Sequence, residues 1–432
     1  MLPSNIQCLF VGGRMPRRQN SGVLLARRNR CVPGLILMTH VVVFVGTRPE
    51  GVKMAPVVKA LRAHLEFRCT LVSTGQHREM LQRALADFGL GPDIDLDVMQ
   101  PSQTLASLSS RLFAAIDEVL ERLRPDWVLV QGDTTTVQVG ALCAFYRHIR
   151  IGHVEAGLRS RDMLAPFPEE LNRRVAGLVA DLHFAPTPGA AENLYREGVS
   201  EGRVQITGNT GIDALLQTAA EVRRSPPSLP DEIARFLAHH PRIVLITGHR
   251  RENFGEGFQN ICRAISQLAA ENPEVGFLYP VHLNPQVRKP VFEIIRDRPN
   301  VLLSEPQEYR SFVHLMDRST LILSDSGGVQ EEAPSLGKPV LVMREVTERP
   351  EGIAAGCAEL VGSSSERIIE RVRALLHDKA LYQRMAQAQN PYGDGAASGR
   401  IADALAAAAG ASPSPAADQE KRRPDAKLAE KA

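Results

Sequence analysis

Paired cysteines, long apolar runs and an excess of charge of either sign are all missing from these 432 residues. The six cysteines (Cys8, Cys31, Cys69, Cys143, Cys262 and Cys357) are widely spaced and form no C-x-x-C pair. That pattern predicts buried free thiols in a reducing cytosol, not a disulfide framework or a zinc site. No apolar stretch reaches the roughly 20 residues needed to cross a bilayer. With 51 basic and 49 acidic residues mixed along the chain, the formal charge is only +2, which provides no broad field for nucleic acid or an anionic membrane. Any anionic ligand must be held locally. H-E-x-x-H spacing is absent too, and metal ligation is disfavoured.

What is present suffices for two packed domains, since 44% of the residues are hydrophobic. Residues 1–37 carry scattered prolines and glycines and the basic stretches RMPRR and ARRNR, without the clean apolar segment of a signal peptide. Order begins at Met38, so 1–37 are expected to be a disordered extension or a start-site artefact. From about Ala409 the composition is that of a disordered tail.

Between these ends, β-branched runs alternate with helical patterns. The runs are VVVFV (41–45), CTLVS (69–73), WVLV (127–130), RIVLI (242–246), GFLYP (276–280), TLILS (320–324) and PVLVM (339–343). This alternation predicts an α/β protein with buried parallel strands. The proline cluster RRSPPSLPDE (223–232) interrupts it once, and TGNTG (207–211) just before is the expected crossover. Polar clusters follow most strands, and ligands of open parallel sheets bind beyond the carboxyl ends of strands. Two Rossmann-like domains facing across a cleft would bring these clusters together.

Two loops could hold an anion. In SDSGGVQEE (324–332) the turn at Ser326, Gly327 and Gly328 precedes the helical pattern VQEEAPSLG, so backbone N–H groups and the helix dipole could meet a phosphate. The same nine residues contain Glu331 and Glu332, which should repel one. GTRPEGVKMAP repeats the layout in the first half and adds the cations Arg48 and Lys53. Read alone, the first has a tight turn without a ligand as its alternative, and the second an exposed surface pair.

Asp133 in QGDTT, Glu155 in HVEAGLRS and Glu169 in FPEELNRR could share the first half's sheet edge as proton-handling groups. Each could instead cap a helix or pair with Arg159, Arg173 or Arg174. His249 in TGHRREN could donate to a phosphate or a sugar oxygen, and His77 and His282 occupy equivalent strand ends.

Taken together, GTRPEGVKMAPV, TGQHREML, QGDTTT, HVEAGLRS, FPEELNRR, HRREN, SDSGGVQEEAPSLGKPVLVMREVTERPEG and NPYGDGAASGRI resemble the non-hydrolysing UDP-N-acetylglucosamine 2-epimerases from Met38 to about Leu405. The resemblance implies the glycosyltransferase type B fold. Residues 38–207 would form the first domain, 208–384 a UDP-binding second domain, 385–408 a C-terminal helix packing back on the first, and 409–432 a tail. It implies a cytoplasmic homodimer, without metal or redox cofactor, that converts UDP-N-acetylglucosamine to UDP-N-acetylmannosamine for surface polysaccharide. Arg48 and Lys53 would lie near phosphates and sugar, Asp133, Glu155 and Glu169 would move the C2 proton, and His249 would assist at the diphosphate. Ser326, Gly327 and Gly328 would hold the diphosphate, Glu332 the ribose hydroxyls and Phe312 the uracil. Gln76, His77, Glu79, Arg250 and His282 match a second, activating UDP-N-acetylglucosamine site. A type B glycosyltransferase, a hydrolysing 2-epimerase and a catalytically idle nucleotide-sugar sensor are the alternatives.

Overall fold

The computed structural model describes residues 38–410 except 76, 77, 101, 296 and 297, so the expectations for 1–37 and for the tail beyond 410 lie outside the described residues. The first sheet comprises β1 (Thr39–Val45), β2 (Phe67–Ser73), β3 (Ile94–Asp95), β4 (Trp127–Gln131), β5 (Arg150–Val154), β6 (Leu182–Ala185) and β7 (Val204–Ile206). Their order is β3-β2-β1-β4-β5-β6-β7, parallel throughout. The second comprises β8 (Arg242–Thr247), β9 (Val275–Pro280), β10 (Val301–Ser304), β11 (Leu321–Ser324), β12 (Val340–Val342) and β13 (Ala358–Leu360). Its order, β10-β9-β8-β11-β12-β13, is also parallel. These are two Rossmann-like domains, as the alternation of runs and helices predicts.

The central strands are apolar on both faces because helices cover both: Val41 to Val45 are fully buried and divide between two core clusters. Six strands are not among the apolar runs of the sequence (β3, β5, β6, β7, β10 and β13), and the reason is chemical. They are short, and RIGHV and LHFA break the apolar run with glycine and histidine. Gly152 is required, since a Cβ there would stand 2.5 Å from Leu129 Cδ2 on the neighbouring strand. His153 and His183 lie side by side in the β5–β6 register, both buried.

VQEEAPSLG is not one helix. An α-helix over Gly327–Glu332 gives way to a 3-10 turn over Ala333–Leu336 that contains Pro334. Proline has no N–H to donate and its ring crowds the carbonyl four residues back, so the tighter turn replaces the α-helix there.

The chain passes from the first sheet to the second through Gly208 (φ +92°), then a helix over Thr210–Arg224. The last helix, Ala397–Gly410, returns to the first sheet. There Ile401, Ala402 and Leu405 bury against the cluster containing Met54, Leu61 and Trp127. Its start is held by the buried Asp213 carboxylate, which accepts from Ser398 N (2.7 Å), Ser398 Oγ (2.6 Å) and Ala397 N (3.2 Å).

Candidate active site

In each sheet the strand order reverses beside the first strand of that half, between β1 and β4 and between β8 and β11. A doubly wound sheet opens its ligand crevice at that point. One buried carboxylate organises each crevice. Glu50 accepts from Gly46 N (2.9 Å), Thr47 N (2.7 Å), Thr47 Oγ1 (2.8 Å) and Thr134 Oγ1 (2.7 Å), tying the loop after β1 to the loop after β4. The Thr47 N contact is the return bond of a capping box on the helix Arg48–Ala63. Asp325, at the end of β11, accepts from His249 N and Arg250 N, both at 2.8 Å, and fixes the loop after β8.

On the first sheet the Lys53 ammonium donates to both carboxylate oxygens of Glu155, at 2.6 and 2.7 Å, and Gln131 Nε2 donates to Glu155 as well. Burial lowers the Lys53 pKa, but the charges of Glu155 and then Glu331 more than offset it, leaving the ammonium above the ordinary lysine range. Lys53 is therefore a cation held between carboxylates of both halves, not an exposed surface charge. Glu155 has φ +60°, a left-handed conformation that costs a non-glycine residue about 1–3 kcal/mol. Asp133 receives Arg173 Nη2 at 2.5 Å, so the predicted arginine pairing is realised at this carboxylate. Burial pushes the Asp133 carboxyl up; Arg173 pulls it back, and the charges of Glu155 and Glu169 push it up again, for a net rise. Glu169 opens the helix Glu169–Val179 and has one buried oxygen, Oε2, without a hydrogen-bond partner among the described residues. The three carboxylates thus share one electrostatic neighbourhood. Arg159 is not their partner; it binds Glu197 through Nε (2.8 Å) and Nη2 (2.7 Å).

Across the cleft, Ser326 precedes the buried Gly327 and the exposed Gly328. A Cβ on Gly327 would stand 2.7 Å from Arg349 Cζ and 2.9 Å from its Nη1, so only glycine admits that guanidinium beside the turn. Arg349 Nε donates to Glu331 at 2.6 Å. Glu332 is half-buried, and burial followed by the charge of Glu331 lifts its carboxyl to about 8, against the opposing pull of Lys53 and Arg48. It is thus mainly a neutral acid at pH 7. That corrects the expectation of a second anion beside the turn. Arg48 is exposed and Phe312 half-buried, packed against the core beneath β8 and β11.

His249 stacks on His282, with ring centroids 5.3 Å apart and planes 16° from parallel, and its Nδ1 lies 3.4 Å from Asp325 Oδ1. Burial lowers its pKa most, Asp325 opposes, and Arg250 and His282 lower it further, so the ring is mainly neutral at pH 7. Arg250 and His282 therefore adjoin His249, while Glu79 is exposed in the first turn of Arg78–Asp87. Gln76 and His77 lie outside the described residues.

Glu50, Gln131, Asp325 and Arg349 were not singled out from the sequence, and Glu331 was noted there only as a charge beside the turn. For Glu50 a signal existed, because T-x-x-E before an apolar helix is a capping box. Among the described residues, no group of three or more histidine, cysteine, aspartate or glutamate side chains could hold a metal.

An anion-compatible turn on one Rossmann-like domain faces carboxylates and a lysine on the other, in the two-domain arrangement of the glycosyltransferase type B fold. The UDP-N-acetylglucosamine 2-epimerase family model matches residues 59–406. The UDP-N-acetylglucosamine 2-epimerase of Salmonella typhimurium is 51% identical over 363 residues, covering 83% of this chain and 96% of its own length. The Neisseria meningitidis enzyme solved bound to UDP-GlcNAc is 45% identical with a TM-score of 0.76, over 86% of this chain and all of that one. The Methanocaldococcus jannaschii enzyme solved with UDP-GlcNAc and UDP is 33% identical with a TM-score of 0.70, over 85% of this chain and 100% of that one. The chain belongs to the UDP-N-acetylglucosamine 2-epimerase family.

Proposed function

We propose that the protein is a non-hydrolysing epimerase that interconverts UDP-N-acetylglucosamine and UDP-N-acetylmannosamine at C2. The observation that carries this is Lys53, which pairs with Glu155 on the first sheet and lies in the field of Glu331 on the second. Proton-handling groups and the diphosphate turn thereby fall in one cleft. The C2 hydrogen is not next to a carbonyl, so its removal alone would leave an unstabilised carbanion. Loss of UDP from C1 relieves this: one carboxylate takes the C2 proton, the C1–O bond breaks, and 2-acetamidoglucal and UDP result. UDP then re-adds while a proton reaches the opposite face, which requires acid–base groups on both sides of the ring. Asp133, Glu155 and Glu169 supply them. Ser326, Gly327 and Gly328, with Arg48, Lys53, Arg349 and a neutral His249, stabilise the departing diphosphate. Glu332 meets the ribose and Phe312 the uracil.

In this reading residues 38–207 and 208–384 are the two domains, no cofactor takes part, and the product feeds surface polysaccharide. Glu79, Arg250 and His282, with Gln76 and His77, form an activating UDP-N-acetylglucosamine site. The working form is a cytoplasmic homodimer. The free thiols Cys69, Cys143, Cys262 and Cys357 suit a reducing compartment, although Cys69 is only half-buried. No helix of the described residues is long and apolar enough to cross a membrane. The exposed Leu164, Phe167, Leu171 and Leu178, on and before one helix, suit a subunit contact.

The test supplies UDP-N-acetylglucosamine in deuterated water without an acceptor and follows C2 by NMR. Deuterium at C2 in both epimers is expected. An unlabelled, unchanged sugar rejects the epimerase in favour of a transferase or sensor, and irreversible release of free N-acetylmannosamine rejects the non-hydrolysing reading.

A further inference from the structure

SDSGGVQEE contains two glutamates, and the proposed reaction uses only Glu332. Glu331 is the more firmly held: its side chain is 8% exposed, and three segments distant in sequence converge on it. One oxygen accepts from Arg349 Nε at 2.6 Å and the other from Asn209 Nδ2 at 2.8 Å. Asn390 Nδ2 donates to its backbone carbonyl, also at 2.8 Å. Asn209 caps the helix by which the chain enters the second sheet, so the carboxylate links that crossover to the loop carrying Arg349. Along the cleft, Glu155, Lys53, Glu331 and Arg349 alternate in sign and sum to zero.

We propose that Glu331 is a positioning residue: its carboxylate grips Arg349 by Nε and sets the guanidinium plane against Gly327, where the diphosphate of the substrate would lie. The inference rests on the proposed function, since it needs a diphosphate at that turn. An arginine side chain has many rotamers. One held at Nε by a buried carboxylate keeps a fixed plane, and binding then costs less ordering. Glu331→Gln keeps the shape but has only one acceptor for two donors. Either Arg349 or Asn209 must then lose its bond.

The experiment is calorimetric titration of UDP into the full chain as wild type, Glu331→Gln, Arg349→Lys and the double variant. Each single change is expected to weaken UDP binding about tenfold, the scale of a lost charge-assisted hydrogen bond. The double variant should be no weaker than about the worse single, because Glu331 acts through Arg349. Additive losses, about a hundredfold in the double, overturn the positioning role, as does a Glu331→Gln variant that binds UDP like wild type. A general packing defect would lower the melting temperature without this non-additivity. Should Glu331→Gln fail to fold, Asn209→Ser loosens the same carboxylate from its other side. It should weaken UDP binding about threefold, and only while Arg349 is present; unchanged affinity overturns the proposal. A wild-type chain that binds no UDP overturns the functional reading itself, an outcome distinct from the others.

Discussion

The Nζ of Lys53 lies 2.6 Å from one oxygen of Glu155 and 2.7 Å from the other, a bidentate pair at the first sheet's switch point. The side chains are 21% and 8% exposed, so removing one partner leaves the other largely shielded from water. Lys53→Met is expected to cost about 3 kcal/mol of stability, the scale for orphaning a buried charge. Lys53→Met with Glu155→Gln should recover part of that loss while remaining inactive. Urea unfolding of Lys53→Met, Glu155→Gln and the double variant checks it. A double variant as unstable as the sum of the singles would mean that the pair is not coupled.

Gly327 and Gly328 are adjacent but not equivalent. A Cβ on Gly327 meets the Arg349 guanidinium at 2.7–3.1 Å, whereas one on Gly328 meets nothing within 4 Å. Gly327→Ala should therefore displace Arg349 and weaken UDP binding about tenfold with little change in melting temperature. In the ligand-free protein Gly328→Ala should fold as well as wild type. Equal UDP affinity of Gly327→Ala and wild type would show that Arg349 does not serve the turn.

How much of this was legible follows from particular residues. Both ends of the cleft could be read from apolar runs that stop at polar clusters, because buried parallel strands are continuous in hydrophobicity and their loops are not. β5 could not, because Gly152 and His153 are accommodated by neighbours from other strands. The organisers stayed hidden for the same reason. Asp325 binds the backbone of residues 75 and 76 positions away, and Glu331 binds an asparagine 122 positions away. Local spacing cannot carry those relations. The pKa of Glu332 was hidden as well, since burial and a neighbouring carboxylate reverse the charge that its formula suggests.

His153 and His183 predict an acid limit to stability. Burial is the main cause in each case, holding His153 at about 4 and His183 at about 3. The unfolded chain titrates near 6.5 and takes up these protons first as pH falls. Their contribution is thus complete above about pH 6.5 and is lost progressively toward pH 4 and then 3. Between pH 7 and pH 5 the loss is about 2 kcal/mol per histidine. Urea midpoints across that range should fall, and His183→Leu should flatten the slope by about half. An unchanged slope would assign the acid sensitivity to other groups.

Glu332 sets the opposite limit. In the ligand-free cleft its carboxyl titrates at about 8, so the neutral acid prevails at pH 7 and the anion well above pH 8. A carboxylic acid can accept one ribose hydroxyl and donate to another without repelling the diphosphate. The anion accepts more strongly but adds a negative charge beside Glu331 and the phosphates. UDP bound nearby favours the protonated form, so affinity should be steady at pH 7 and fall as pH rises through about 8. Glu332→Gln mimics the neutral acid and should remove that fall while keeping affinity at pH 7 within about threefold, less than the loss expected for a charged bond. Calorimetry of UDP binding from pH 6.5 to 9 distinguishes the two forms: if Glu332→Gln loses affinity at every pH and the wild type shows no fall, the residue works as an anion, and the charge in SDSGGVQEE meets the ribose directly.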